Sequence, residues 1–204
     1  MKSLLLVVAG ACLLSTGAYA GPNASREAGD WFVRVGGTYI SPKSNNHPVV
    51  GVDEALSLTF NGTYMFTDNF GLELLAALPY KHDIDLNADG SKAGSTKHLP
   101  PTLTAQWHFN SGGPVIPYVG LGVNYTLFFD EGTTGALSGV RLGLDPSFGI
   151  AGQAGFDWLV GSNWFVNVDV RYISIEADAK LDGAGIGDVK INPWLFGINV
   201  GWTF

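Results

Sequence analysis

Eight stretches of this chain alternate apolar and polar residues at a period of two, and none carries a charge on its apolar side. Period two is the spacing of an extended strand, whose successive side chains point to opposite faces. Trp31, Val33, Val35 and Tyr39 oppose Phe32, Arg34 and Thr38, and Leu56, Leu58, Phe60 and Tyr64 oppose Ser57, Thr59 and Asn61. Leu72, Leu74 and Leu78 oppose Glu73 and Leu75, and Leu103, Ala105 and Trp107 oppose Thr104, Gln106 and His108. Val119 to Leu127, Phe148 to Trp158, Trp164 to Tyr172 and Trp194 to Phe204 repeat the pattern. The strand-borne charges, Arg34, Glu73, Asp157, Asp169 and Arg171, share the polar side. A lipid-facing Arg or Lys costs about 2–4 kcal/mol at the bilayer midplane, so this partition is what a membrane demands.

A soluble sandwich also alternates, with its apolar side turned inward. The aromatics and the charge content separate the two cases. In an up-and-down topology Trp31, Trp107, Trp158, Trp164 and Trp202 fall at one end and point outward, while Tyr39, Phe129, Tyr172 and Trp194 form a set at the other. Two rings of amphipathic aromatics mark the two membrane interfaces. Charged residues are 14% of the chain, against roughly 25% in soluble domains, which leaves little to cover a water-facing exterior.

The connections alternate in length. Thr67–Asn69, Asn110–Val115 and Leu159–Asn163 are short, whereas Ser41–Glu54, Lys81–His98, Asp130–Asp145 and Ala177–Lys190 are long and polar. Short turns on the periplasmic side and long loops outside are the outer-membrane arrangement. The fold class expected is therefore all-β, a transmembrane eight-stranded antiparallel up-and-down β-barrel spanning residues 21–204, in the bacterial outer membrane.

Residues 1–20 read as an export signal, with Met1-Lys2, an apolar run from Leu4 to Leu14, and Ala18-Tyr19-Ala20 before the cut. Cys12 opens a lipoprotein alternative, although the residues before it make a poor lipobox. Its loss leaves a mature chain without cysteine, so disulfides contribute nothing to stability. The 18 acidic residues against 11 basic ones argue against nucleic acid as a partner. The partners expected are outer-membrane lipids, small hydrophobic solutes and the barrel-assembly machinery. The last would engage the outward C-terminal Phe204, which follows Trp202 and Val200 at spacing two.

Four blocks resemble the OmpW family of small outer-membrane barrels: Thr63 to Tyr80, His98 to Trp107, Pro117 to Asp130, and Asn192 to Phe204. They occur in order, and with Gly152 to Leu159 and Asn163 to Tyr172 the likeness covers most of the mature chain. The resemblance implies a narrow interior that admits small hydrophobic molecules, relatives serving hydrocarbon uptake. Some members narrow the lumen with an aromatic facing the position of Leu75; the matching residue here is Arg171.

An eight-stranded barrel is filled by side chains or holds one small ligand. Near the loop side the inward positions are Ile40, Leu75, Ala77, Pro79, Pro100, Phe128, Ile173, Ile175 and Leu195, an apolar funnel. Lower down they are Arg34, Asn61, Glu73, Gln106, His108, Asn124, Gln153, Asp157, Asp169 and Arg171. Of these Arg34, Glu73, Gln106, Asp169 and Arg171 are expected to form an interior polar network. A solute entering from outside would not cross that layer. Pro100-Pro101, which cannot donate to a sheet ladder, marks a candidate lateral exit into the bilayer. The function expected is a narrow channel or binding funnel for small hydrophobic compounds. The alternative is a surface-interaction barrel with a closed interior.

No enzymatic activity, cofactor or metal is expected. Ser91, Ser95, His82 and His98 share one loop without a distinct orienting carboxylate, and no histidine pair has metal-ligand spacing.

Overall fold

The computed structural model describes residues 25–43, 50–86, 91–110 and 113–204, so the export segment 1–20 lies outside the described residues. Strands form at the eight places the alternation marks and also within the long connections: β1 (Trp31–Ser41), β2 (Val50–Val52), β3 (Ala55–Met65), β4 (Phe70–Ala77), β5 (Tyr80–Leu86), β6 (Lys92–Leu99), β7 (Thr102–His108) and β8 (Val115–Thr133). β9 (Leu142–Leu144), β10 (Ser147–Leu159), β11 (Trp164–Ile173), β12 (Glu176–Leu181), β13 (Ala184–Lys190) and β14 (Trp194–Thr203) follow. Eight of them, β1, β3, β4, β7, β8, β10, β11 and β14, pair antiparallel around a closed ring in which β14 returns to β1. Closure gives each of the eight strands a neighbour on both sides and removes the edges that would invite aggregation.

The apolar sides face out. Leu58, Phe60, Leu121, Ile150, Ile198 and Val200 are exposed, Leu121 at 77%. Such a continuous apolar belt is unstable in water and stable against acyl chains. At the short-turn end Trp164 meets Trp202 edge-on at 4.4 Å and Trp31 lies 4.8 Å from Tyr64; at the other end Tyr172 lies 5.2 Å from Trp194.

The long connections are not irregular. β5 and β6 form a hairpin that continues the wall upward, with β2 on one flank and the upper part of β8 on the other. β12 and β13 form a second hairpin, joined by β9 into a three-stranded sheet. Its turn is Asp182-Gly183, with φ of 47° and 83°, the left-handed pair that a two-residue turn needs to match strand twist. These segments alternate poorly because, above the bilayer, both of their faces tolerate polar residues.

Candidate functional site

The lumen is filled in three layers. At the periplasmic end Phe32, Met65 and Phe165 pack into a fully buried apolar floor. Sequence reasoning placed only polar groups at this depth. The parity of Phe32 and Phe165 put them on the inward side, but their polar neighbours masked them.

Arg26, ahead of the first strand, locks this floor. Its guanidinium lies 4.0 Å from the Phe32 ring centre and 4.4 Å from that of Phe165, and donates to Asp157 Oδ2 at 2.7 Å and Thr203 Oγ1 at 2.7 Å. Its backbone N–H donates to Asn110 Oδ1. No periodic signal announces a residue outside the strands, and Arg26 was not expected.

The middle layer is ionic. Arg34 donates to Glu73 Oε2 at 2.7 Å and to Asp157 Oδ2 at 2.9 Å; Arg171 donates to Glu73 Oε1 at 2.9 Å and approaches Asp169 at 3.9 Å. Arg34, Glu73 and Asp157 are wholly buried. Two arginines on one carboxylate, with Asp157 serving Arg34 and Arg26, give each buried charge the partner its burial requires. Gln106 joins through amide contacts of 3.0 Å to Gln153 and 3.1 Å to His108 Nε2. Room for these long side chains comes from inward glycines: a Cβ on Gly155 would meet the Tyr118 hydroxyl at 2.7 Å.

The upper layer is apolar. Ile40, Leu75, Ile173, Ile175 and Leu195 pack with Ala151, Ala179, Val189 and Ile191, and Ala77 and Phe128 rest against them. The residues expected to line an open funnel are thus mostly its closed base. Pro100 is buried, but Pro79 is exposed and leaves the inward set. The reason is a slip in register: Leu75 pairs with Thr102, yet Tyr80 pairs with His98, so four residues on one strand oppose three on the other. An extra residue of this kind breaks the strict alternation.

That slip opens a seam. Between those two pairs no ladder pairing joins Ala76–Pro79 to Leu99–Pro101 among the described residues. The outer flanks stay closed. Ala76 and Ala77 pair with β3, the Leu78 N–H donates to the Leu58 carbonyl at 3.1 Å, and the Tyr125 N–H donates to the Pro101 carbonyl at 3.1 Å. Pro79 and Pro100, whose backbone positions face each other's strands across the lapse, supply no N–H there, whereas Pro101 is turned towards Tyr125 on β8.

Above the apolar layer, between the two extramembrane sheets, lies a cavity of about 190 Å³. Val52, Ile84, Ala93, Leu137, Leu144, Ala179, Leu181 and Val189 line it, with Thr96 the sole polar side chain among its lining residues. Ala179, Val189 and Ile191 belong both to its wall and to the cluster beneath. Such a surface can hold an uncharged apolar molecule and offers almost nothing to a polar one. Among the described residues no cluster of metal-ligating side chains occurs.

A family model described as the OmpW family matches residues 27–204. The chain is 41% identical to outer membrane protein W of Escherichia coli (strain K12), over 95% of this chain and 97% of that protein. It is 27% identical to outer membrane protein AlkL of Ectopseudomonas oleovorans, over 76% of this chain and 69% of that one. The crystal structure of the outer membrane protein OprG from Pseudomonas aeruginosa matches with a TM-score of 0.79 at 32% identity, covering 88% of this chain and 98% of that one.

Proposed function

This chain belongs to the OmpW family of outer-membrane β-barrels, and from that premise we propose that it takes up small hydrophobic compounds and releases them sideways into the bilayer. The carrying observation is the position of the seam. The apolar cavity lies on the loop side, the lumen below it is closed by packed side chains and a buried ion network, and the wall is unpaired beside that closure. An apolar solute gains roughly 25 cal/mol per Å² of surface buried in the cavity, and would lose that gain against the ionised layer beneath. Leaving through the wall takes it into acyl chains instead.

The test is deletion and complementation. Cells lacking the protein should accumulate a non-polar tracer more slowly, and the intact chain should restore the rate. Equal rates with and without the protein would reject uptake. The closed lumen favours one other reading, a surface-interaction barrel whose folded hairpins meet other surfaces. It would be supported by unchanged tracer uptake and no conductance in planar bilayers.

A further inference from the structure

The inward row of β6 connects the cavity to the seam. Gly94 and Thr96 border the cavity, Pro100 stands at the unpaired wall, and His98 lies between them at two-residue spacing. His98 is fully buried, and its ring lies 5.6 Å from that of Phe128, its partner across the ladder on β8. Phe128 in turn rests on the apolar cluster. The two rings therefore occupy the short route from the chamber above to the break in the wall.

We propose that His98 and Phe128 form the gate between the hydrocarbon cavity and the lateral seam. This rests on the uptake reading above. The backbone at the gate is held on both sides, since His98 pairs with Tyr80 on β5 and Phe128 on β8. Below it the pairing with the β4–β5 side lapses at once. Passage then requires side-chain rotation rather than strand separation. The gate also separates capture from release: the residues that line the cavity set what is held, and the ring pair sets how quickly it leaves.

The experiment uses the full chain in whole cells, with a small non-polar hydrocarbon tracer and matched amounts of folded barrel verified by heat-modifiable migration. His98→Ala is expected to raise the uptake rate severalfold, and His98→Trp to lower it towards that of cells without the protein. Phe128→Ala, altering the other half of the pair, is expected to behave as His98→Ala does. A merely structural role would lower uptake in every variant, and that result overturns the gate. So does wild-type uptake in all three variants. If the wild type itself transports no faster than cells lacking it, the uptake reading and the gate fall together.

Discussion

Arg34 and Glu73 meet at 2.7 Å with both side chains wholly removed from solvent, and Glu73 also accepts from Arg171 at 2.9 Å. One carboxylate therefore bridges two guanidinium groups, with Asp157 and Asp169 supplying the remaining negative charge. Glu73→Ala leaves both short of a partner, and breaking a buried pair costs about 3–5 kcal/mol. Denaturant unfolding of the refolded barrel should show a loss of that order, and Glu73→Gln, which keeps hydrogen-bonding capacity, should lose less. An unchanged midpoint for Glu73→Ala would reject the network as described.

The exterior behaves oppositely. Leu121 is 77% exposed on the lipid side of β8. Leu121→Arg should destabilise the barrel by about 2–4 kcal/mol in a bilayer. In a water-soluble protein the same change at so exposed a position would cost almost nothing. Unfolding measured in lipid vesicles distinguishes the two.

Much of this was legible in the residues. Trp31, Val33 and Val35 fall outward and Phe32 and Arg34 inward, because one face meets lipid and any register slip would turn charges into it. Legibility ended where that pressure ends. Pro79 follows the inward parity of Leu75 in sequence but is exposed, since the extra residue before Tyr80 shifts the register and nothing local announces it. The β5–β6 and β12–β13 hairpins read as loops because segments above the bilayer can be polar on both faces. Arg26 acts through contacts with Asp157, 131 positions away, which no local pattern carries.

The floor depends on a missing side chain. A Cβ on Gly201 would overlap the Phe165 ring. Gly201→Ala should displace that ring and cost about 1–3 kcal/mol, the usual penalty of overpacking. Gly62→Ala is the control, as its Cβ would meet nothing within 4 Å. Denaturant midpoints of the two variants give the comparison.

The cavity sets a size limit. An apolar cavity of about 150 Å³ binds benzene, and this one, at about 190 Å³, leaves room for little more than a small substituent. Toluene should produce saturable amide shifts at Ala93, Leu144 and Val189, whereas a hydrocarbon of three fused rings should not. Ala93→Leu, which fills the space from β6, should abolish the toluene response.

The outer hairpin should respond to acid. Asp178 and Asp188 face each other across β12 and β13, and the hydrogen bond from one carboxyl to the other raises Asp178 above the usual aspartate range. A raised carboxyl takes up its proton more readily in the folded hairpin than in the unfolded one. The resulting stabilisation is fully present below the ordinary value of 3.8 and is lost as pH rises through the raised one. Amide exchange in β13, corrected for intrinsic rates, should therefore slow on acidification, and Asp188→Asn should weaken that dependence.

Lateral release is tested most directly at the prolines. Replacing Pro100 and Pro101 together with alanine restores an N–H donor at residue 100 on the side where pairing lapses and, through residue 101, a second bond to β8 that stiffens the same strand. With equal amounts of folded barrel in the outer membrane, uptake of a non-polar tracer by this double variant should fall towards that of cells lacking the protein. Uptake indistinguishable from the wild type would mean that the solute leaves by another path.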